Sequence, residues 1–373
     1  MLKRIMFLLP SLGGGGAERT VVQLANNFAE RGLNIDLAVC DIKDEKGKLL
    51  PEVNAKVKLI NLDCGRVANA IFPLKKIFQF KNYDFVVSTQ THTNIICAIA
   101  KKLSGAKTKL IFREVSTPSK NIKNQGLAKF ILKKLVNLTY KSADRVVCVS
   151  NGVLEDFREF YAYAAQNLVT VYNPVIDDLY LEKLKVPINH PFFSNHTKVI
   201  LSVGRLTEAK NFSFLIKSFN QLYQKYPEIR LIILGEGELR SELEQLVTEL
   251  GLRDVVDLPG FDLNPYAYFK YVDLFVLSSN WEGLPGVLIQ ALASKVRIVS
   301  TNCPSGPMEI LANSKFGLLV KCGDVDGMST AMQSAIFENY VMYNIDEFDQ
   351  HCQQFHKSQV LVSYLKLMGI QSE

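Results

Sequence analysis

The sequence predicts an α/β protein made of two successive strand–helix arrays. Three observations carry this expectation. Short apolar runs of strand length, such as VDLFVL at 272–277, alternate in both halves with segments whose apolar residues recur at helical spacing. Glycine-rich loops stand between a strand and the next helix, SLGGGG at 11–16 and GEG at 235–237. The alternation breaks at 179–197, which holds Pro187 and Pro191, and then restarts. A chain of 373 residues exceeds one ordinary core and suits two domains of about 150–200 residues. The expected division is a first domain at 1–178, a connection at 179–197, a second domain at 198–345 and a terminal segment at 346–373, helical over 346–367.

Composition narrows the class. Hydrophobic residues make up 48% and charged residues 21%, the balance of a globular protein rather than a disordered one. Seven cysteines, an odd number without paired spacing, indicate reduced thiols in a cytosol and not a disulfide frame or zinc site. The opening MLKRIMFLLPSLGGGGA superficially resembles a signal peptide, but its apolar core at 5–9 is short for one and reads as a first strand before a glycine loop. No apolar run reaches the roughly 18 residues of a membrane span. The net charge of +6 fits anionic substrates or an anionic membrane surface without requiring either, and no nucleic-acid partner is expected.

In the first half, residues 3–9 form the first strand and 11–16 the loop after it. Val21, Leu24, Ala25 and Phe28 give 17–31 a helical face that stops at Gly32, and strand 35–40 follows. Gly15 and Gly16 let backbone N–H groups approach a phosphate or sugar. A dinucleotide fingerprint is the rival reading. Asp41 lies at a suitable distance, but the pattern meets Glu18 from Gly13 and Arg19 from Gly14, where it needs glycine. Residues 43–80 read as irregular apart from strand 56–62. Strand 83–89 ends in a loop at 90–94, QTHTN, before helix 95–103 and strand 109–113. His92, Arg113 and Glu114 thus stand at strand ends, as acceptor-side candidates. The alternative is that His92 caps the next helix and Arg113 and Glu114 form a surface pair. Helix 126–142 carries Leu127, Phe130, Ile131, Leu135 and Leu138 on one side and Lys129, Lys133, Lys134 and Lys141 elsewhere, a pattern suited to an anionic lipid surface or to packing on a sheet. Strand 146–150, helix 152–160 and strand 169–172 complete this half.

In the second half, strand 199–203 leads into GRLTEAKN, which holds Gly204, Arg205 and Lys210, and a helix runs on through Tyr226. Strand 230–234, helix 239–250, strand 255–258 and a short helix at 265–271 precede the strand at 272–277. The chain then reads SSNWEGLPGVLIQALASKVRIVSTNCPSGPMEIL over 278–311. Gly283 makes a turn, Pro285 suits a first helical position, a helix spans 285–294, and strand 296–300 leads to Ser305–Gly306–Pro307 and another helix. Loops at the carboxyl ends of parallel strands, feeding helix N-termini, bind anions in open α/β sheets. Glu282, in such a loop, is placed to accept hydrogen bonds from hydroxyls attached to the phosphate. That combination points to a nucleotide-sugar. Glu309 is either a ligand contact or an ordinary dipole-favoured residue of a first helical turn. Asp324-Val325-Asp326 has the form of a metal-binding Asp-x-Asp, yet its place before a helical stretch reads as an N-cap. Ser and His occur without nucleophile elbow or triad order, so hydrolase chemistry has no support.

The stretch 278–311 together with GRLTEAKN resembles the donor-site signature of retaining glycosyltransferase family 4, and GGGGAER and VYNP resemble segments of bacterial enzymes of surface-polysaccharide and lipid-linked glycan assembly. The resemblance implies the GT-B fold: two Rossmann-like domains facing across a cleft, the first on the acceptor side and the second binding the donor, with a C-terminal helix packing back on the first. It implies Glu282 as the contact to hydroxyls of the transferred sugar, Arg205 and Lys210 as cations that hold the departing diphosphate, and no cofactor or metal. Gly15, Gly16, Gly204, Gly283, Leu284 and Pro285 belong to the same implied donor set. The family's second Glu, eight positions after the first, is Gln290 here. Its carbonyl can accept hydrogen bonds from a ribose but lacks the charge, and charge-assisted bonds are about twice as strong. The implied activity is retaining, metal-independent transfer from a nucleotide-sugar, UDP-linked, to a lipid-linked saccharide or polysaccharide, in the cytoplasm at the inner membrane face. Two other readings stay open. One is a nucleotide-sugar epimerase of the same fold, with Glu114 the plausible acid/base carboxylate; the other is a partner subunit whose catalysis Gln290 weakens.

Overall fold

A computed structural model describes residues 3–122, 126–177, 180–193, 196–262, 264–338 and 344–371. The chain divides into two compact units, Met1–Pro174 with Phe355–Glu373, and Val175–Gln354.

The first unit contains β1 (Arg4–Leu9), α1 (Gly16–Glu30), β2 (Asn34–Val39), β3 (Lys58–Asn61), α2 (Ile71–Phe80), β4 (Phe85–Thr89), α3 (Thr91–Ser104), β5 (Lys109–Glu114), α4 (Pro118–Asn121), α5 (Leu127–Thr139), β6 (Arg145–Cys148), α6 (Asn151–Tyr161) and β7 (Leu168–Thr170). These strands form one parallel sheet in the order β3-β2-β1-β4-β5-β6-β7. Past Arg4, β1 is an unbroken apolar run, and β4 is apolar up to Ser88 and Thr89, because both faces of the sheet are covered. The expected face of α1 is the buried one, and Phe28 meets Phe7 of β1 edge-on at 5.6 Å.

Two expectations for this unit need correction. Residues 71–80, read as irregular, are helical: Leu74 and Phe78 are buried four apart, and Pro73 sits in the first turn, where its missing N–H costs nothing. Residues 91–94, read as loop, are the first turn of α3. Gln90 takes a φ of 78° and turns the chain straight from strand into helix, its carbonyl accepting from Asn94 N at 2.9 Å. His92 is therefore inside the helix and does not cap it.

The second unit contains α7 (Tyr180–Lys185), β8 (Lys198–Val203), α8 (Phe212–Tyr223), β9 (Ile229–Leu234), α9 (Arg240–Glu249), β10 (Val256–Gly260), α10 (Tyr266–Phe269), β11 (Leu274–Leu277), α11 (Gly286–Ala293), β12 (Arg297–Thr301), α12 (Pro307–Ile310), β13 (Leu318–Val320), α13 (Val325–Phe337) and α14 (Ile345–Gln353). Its parallel sheet has the order β10-β9-β8-β11-β12-β13. In each sheet the order reverses direction once, between β1 and β4 in the first and between β8 and β11 in the second. Such switch points leave a crevice between the two diverging loops. Residues 180–185, within the expected connection, are helical and pack in the second unit, where Asn264 Nδ2 donates to Lys183 O at 2.9 Å.

The terminal segment, expected to be one helix over 346–367, is two. α14 stays with the second unit, where Phe348 packs on Phe316 and His351 Nε2 lies 2.8 Å from Ile310 O. α15 (Lys357–Met368) joins the first unit and buries Val360, Leu361, Tyr364, Leu365 and Met368 in its core. The break falls where Phe355, fully buried, packs on Tyr172 at 5.1 Å and His356 turns extended as the N-cap of α15.

Successive residues of a strand face opposite sides, and the end of β5 uses this. Arg113 points to the α15 side, where Nε donates to Tyr364 Oη at 2.7 Å, Nη2 to Asn173 Oδ1 at 2.9 Å and Nη1 to Thr89 Oγ1 at 3.4 Å. Glu114 points the other way, accepting from Thr91 Oγ1 and Asn94 Nδ2, each at 2.9 Å, and from the Tyr140 hydroxyl. Both side chains are about 1% exposed, so the surface-pair alternative is wrong: neighbours on a strand cannot pair across its two faces. Burial pushes the Glu114 carboxyl up to about 7.

α5 differs from a helix merely packed on a sheet. It buries Leu132, Val136 and Thr139, while Leu127, Phe130, Ile131 and Leu138 stay 73%, 54%, 47% and 71% exposed. Among the described residues no helix is long and apolar enough to cross a membrane.

Two stability experiments follow from these contacts. Tyr364→Ala removes a buried ring and strands the Arg113 guanidinium, and a loss of about 3–5 kcal/mol is expected in urea melts. Glu114→Gln tests the buried acid. The Glu114 pKa is raised in the fold from 4.5 to about 7, so its contribution is full below the unfolded value and fades as pH rises through the folded one. The Gln variant is expected to match wild type below about pH 4 and to exceed it by up to about 3 kcal/mol near pH 8, measured as stability against pH; equal pH profiles would show that the fold leaves the Glu114 pKa at its unfolded value.

Candidate functional site

The sequence-predicted donor residues gather on three neighbouring loops at the carboxyl ends of β8, β11 and β12. Gly204 follows β8, and its bare α-carbon lets the Lys210 side chain lie across it: a Cβ there would stand 3.1 Å from Lys210 Cε. Lys210 Nζ thereby reaches Glu282 Oε1 on the β11–α11 loop at 2.5 Å, with side-chain exposures of 19% and 12%. Ser279 Oγ donates to the same oxygen at 2.6 Å.

Further bonds stitch the loops together. Ser278 Oγ donates to Lys210 O at 2.7 Å, Asn280 N to Ala209 O at 2.8 Å, and Glu282 N to Pro304 O at 3.2 Å. The β12–α12 loop closes against the turn at 283–285. Gly306, at φ +98°, lies so near that a Cβ would fall 2.5 Å from Pro285 Cδ. Arg205 differs from Lys210: it is exposed, and no described carboxylate pairs with its guanidinium.

α11 begins one residue later than expected, because Pro285 is extended and serves as N-cap rather than first helical residue. Gly283, Leu284 and Pro285 are buried in the turn before it. Gln290 follows on the second turn, its Nε2 donating to Tyr266 Oη at 3.1 Å. The Tyr180 hydroxyl lies 3.3 Å from Gln290 O and also bonds Ser294 Oγ.

The first-unit candidates do not gather in this way. Gly15 and Gly16 follow β1 and His92 follows β4, so they flank the switch point of the first sheet, with His92 exposed. The Gly15 N–H is already taken by Glu18 Oε2 at 2.8 Å, and Ser11 Oγ holds the other carboxylate oxygen at 2.5 Å. An anion at this helix start competes with that carboxylate. Arg113 and Glu114 are spent inside the unit, as described above.

Asp324 is the N-cap of α13, its Oδ1 accepting from Gly327 N at 2.9 Å, and Asp326 accepts from Gln221 Nε2 at 2.9 Å. Among the described residues no three His, Cys, Asp or Glu side chains come together as a metal-binding group. Sequence reasoning missed Ser279, Tyr266 and Tyr180. Ser279 stands three residues before Glu282, a signal that was available, whereas the two tyrosines reach Gln290 from 24 and 110 residues away in sequence, and no spacing rule reports that.

A sequence model described as Glycosyltransferase Family 4 matches residues 14–179, and one described as Glycosyl transferases group 1 matches 189–352. The chain is 29% identical over 350 residues, 90% of each chain, to N-acetylgalactosamine-N,N'-diacetylbacillosaminyl-diphospho-undecaprenol 4-alpha-N-acetylgalactosaminyltransferase of Campylobacter jejuni. A second transferase of that organism, GalNAc-alpha-(1->4)-GalNAc-alpha-(1->3)-diNAcBac-PP-undecaprenol alpha-1,4-N-acetyl-D-galactosaminyltransferase, is 26% identical over 99% of both chains. Among solved structures, Anabaena HepE in complex with UDP and glucose superposes with a TM-score of 0.78 at 18% identity, covering 98% of this chain and 99% of that one. That likeness speaks for the fold alone. The two sequence models between them take up both halves of the chain, and the solved neighbours share its fold: the chain is a glycosyltransferase of the GT-B fold that carries a Family 4 domain and a group 1 domain.

Proposed function

We propose that this glycosyltransferase moves a sugar from a UDP-sugar to a lipid-linked saccharide or polysaccharide, with retention and without a metal ion. The observation that carries the reading is the Lys210–Glu282 contact at the switch point of the second sheet, beside the exposed Arg205. A cation and a carboxylate held side by side suit a ligand that is anionic at one end and hydroxylated at the other. Arg205 and Lys210 stabilise charge as it grows on the departing diphosphate, and Glu282 accepts from hydroxyls of the sugar. The sugar's C1–O bond to the diphosphate breaks while the acceptor oxygen bonds C1 from the same face, and the acceptor proton passes to the departing phosphate oxygen. An epimerase reading loses its acid/base candidate, since Glu114 is buried and bonded within its own unit.

The acceptor belongs, in this reading, to the first unit, and the Campylobacter relatives carry undecaprenol-linked acceptors in their names. The exposed apolar stripe of α5, Leu127, Phe130, Ile131 and Leu138, is flanked by Lys129, Lys133, Lys134 and Lys141. An apolar face edged with lysines is the pattern of a helix lying in an anionic lipid interface, which would bring the enzyme to a lipid-linked acceptor at the cytoplasmic side of the inner membrane.

Thermal shift against UDP, GDP, ADP and UDP-sugars tests the donor: at a hundred times its dissociation constant a ligand stabilises by about 2.7 kcal/mol. Selective stabilisation by UDP and one UDP-sugar is expected, and silence with every nucleotide would remove the donor-site reading. In transfer assays Glu282→Ala is expected to be inactive yet folded. Arg205→Ala is expected to lower kcat by about a hundredfold at saturating donor, and EDTA to change nothing. For the membrane, the enzyme is expected to sediment with phosphatidylglycerol vesicles but not with phosphatidylcholine vesicles, and Phe130→Asp with Ile131→Asp to stay in the supernatant. Equal sedimentation of wild type and variant would dismiss α5 as the contact.

A further inference from the structure

Glu282 is held by two donors of unlike kind. Lys210 Nζ and Ser279 Oγ meet the same carboxylate oxygen, Oε1, at 2.5 Å and 2.6 Å. The lysine is a cation on a flexible stem, its side chain 19% exposed, and a diphosphate competes with the carboxylate for it. The serine is neutral and fully buried, and it offers a diphosphate nothing to bind.

The direction of the serine bond is set by its partner. A carboxylate paired with a lysine only accepts, so the single hydroxyl hydrogen of Ser279 points at Oε1. The serine is in turn anchored from outside its own loop. Thr301, fully buried at the end of β12, donates from Oγ1 to Ser279 O at 2.6 Å. Cys322 Sγ, just past β13, lies 3.8 Å from the same carbonyl. Through Ser279 the Glu282 carboxylate is thus tied to the neighbouring strand of the sheet.

We infer that Ser279 is a positioning residue that keeps the Glu282 carboxylate turned toward the hydroxyls of the transferred sugar once the donor's diphosphate has drawn Lys210 away. The inference rests on the donor-site reading above. With ligand bound the lysine serves the phosphates, and of the two donors on Oε1 the serine stays. Its bond fixes the rotation of the carboxylate, which the last torsion of a glutamate otherwise leaves broad. That rotation decides where the sugar hydroxyls find their acceptor.

Calorimetric titration of the full chain with UDP, UDP-glucose, UDP-galactose, UDP-N-acetylglucosamine and UDP-N-acetylgalactosamine tests this. UDP carries the diphosphate without the sugar and makes no use of Glu282. Ser279→Ala is expected to bind UDP as tightly as wild type. It is expected to bind the UDP-sugar that wild type holds best about tenfold more weakly, the worth of one hydrogen bond to a charged group. In a Glu282→Ala background the same serine change is expected to alter neither affinity. The ratio of the two affinities decides. An equal loss for UDP and UDP-sugar marks a general packing role and overturns the inference. So does a sugar affinity that survives in Ser279→Ala, or a selective loss that persists in the Glu282→Ala background. Partial unfolding of the variant lowers both affinities by one factor, so the ratio keeps its meaning. Should Ser279→Ala not fold, Ser279→Cys, whose thiol is a weaker donor, is read by the same ratio. A wild type that binds UDP but none of the UDP-sugars overturns the inference while leaving the nucleotide site standing, whereas one that binds neither overturns both.

Discussion

A hydrogen bond between a lysine and a glutamate 72 residues apart organises the loops of the second unit. Lys210 lies across residue 204, which carries no side chain, on its way to Glu282, and the loops stay in register because Ser278 and Asn280 bond backbone carbonyls of the Lys210 loop. The pair is mostly shielded from water, so removing either partner alone leaves a charge with poor solvation. The same shielding sets the terms for any ligand. An anion alone must draw Lys210 from its carboxylate, and a polyol alone must draw Glu282 from its cation. A molecule that is both can compensate the two together.

The first unit solves a different problem at the matching edge of its sheet. β5 ends in two ionisable residues, and the pleat sends them to opposite faces. Arg113 meets hydroxyls and an amide, and no described carboxylate lies within bonding distance of it; Glu114 meets donors that are all neutral. Burying a lone charge is costly. Burial eases the cost for the acid by pushing its pKa up to about 7, against the pull of the donors around it. The guanidinium, which cannot shed its proton, is solvated instead by three oxygen acceptors. Polar residues at strand ends are thus not automatically surface chemistry, even on the edge of the sheet where chemistry is found.

Much of the architecture was legible in the sequence for a physical reason. A parallel strand covered on both faces is apolar along most of its length, and VDLFVL, FVVST and RIMFLL announce themselves. The loops after β8, β11 and β12 were legible as well, because glycines and charges next to such strands mark where strand gives way to helix. What failed to show were features fixed by partners distant in sequence. α2 hides behind Pro73, which breaks a helix interior but fits a first turn. The split between α14 and α15 depends on Phe355 packing against Tyr172, and no periodicity in 346–367 marks it. The buried state of Arg113 depends on Tyr364, far beyond any local window, and α5 carries an exposed apolar stripe while the face it buries, Leu132, Val136 and Thr139, is another one.

The bond from Arg113 to Tyr364 spans 251 residues, and between them the chain makes the whole of the second unit. During synthesis the first 174 residues emerge without the helix that completes them. At ribosomal rates of about 5–20 residues per second, that guanidinium waits on the order of 10–50 s for its phenol. The unit that starts first therefore finishes last, and a nascent chain halted anywhere before residue 364 exposes the apolar surface on β1 and α1 that α15 would cover. A cell that makes this enzyme has to shelter that surface for the whole interval.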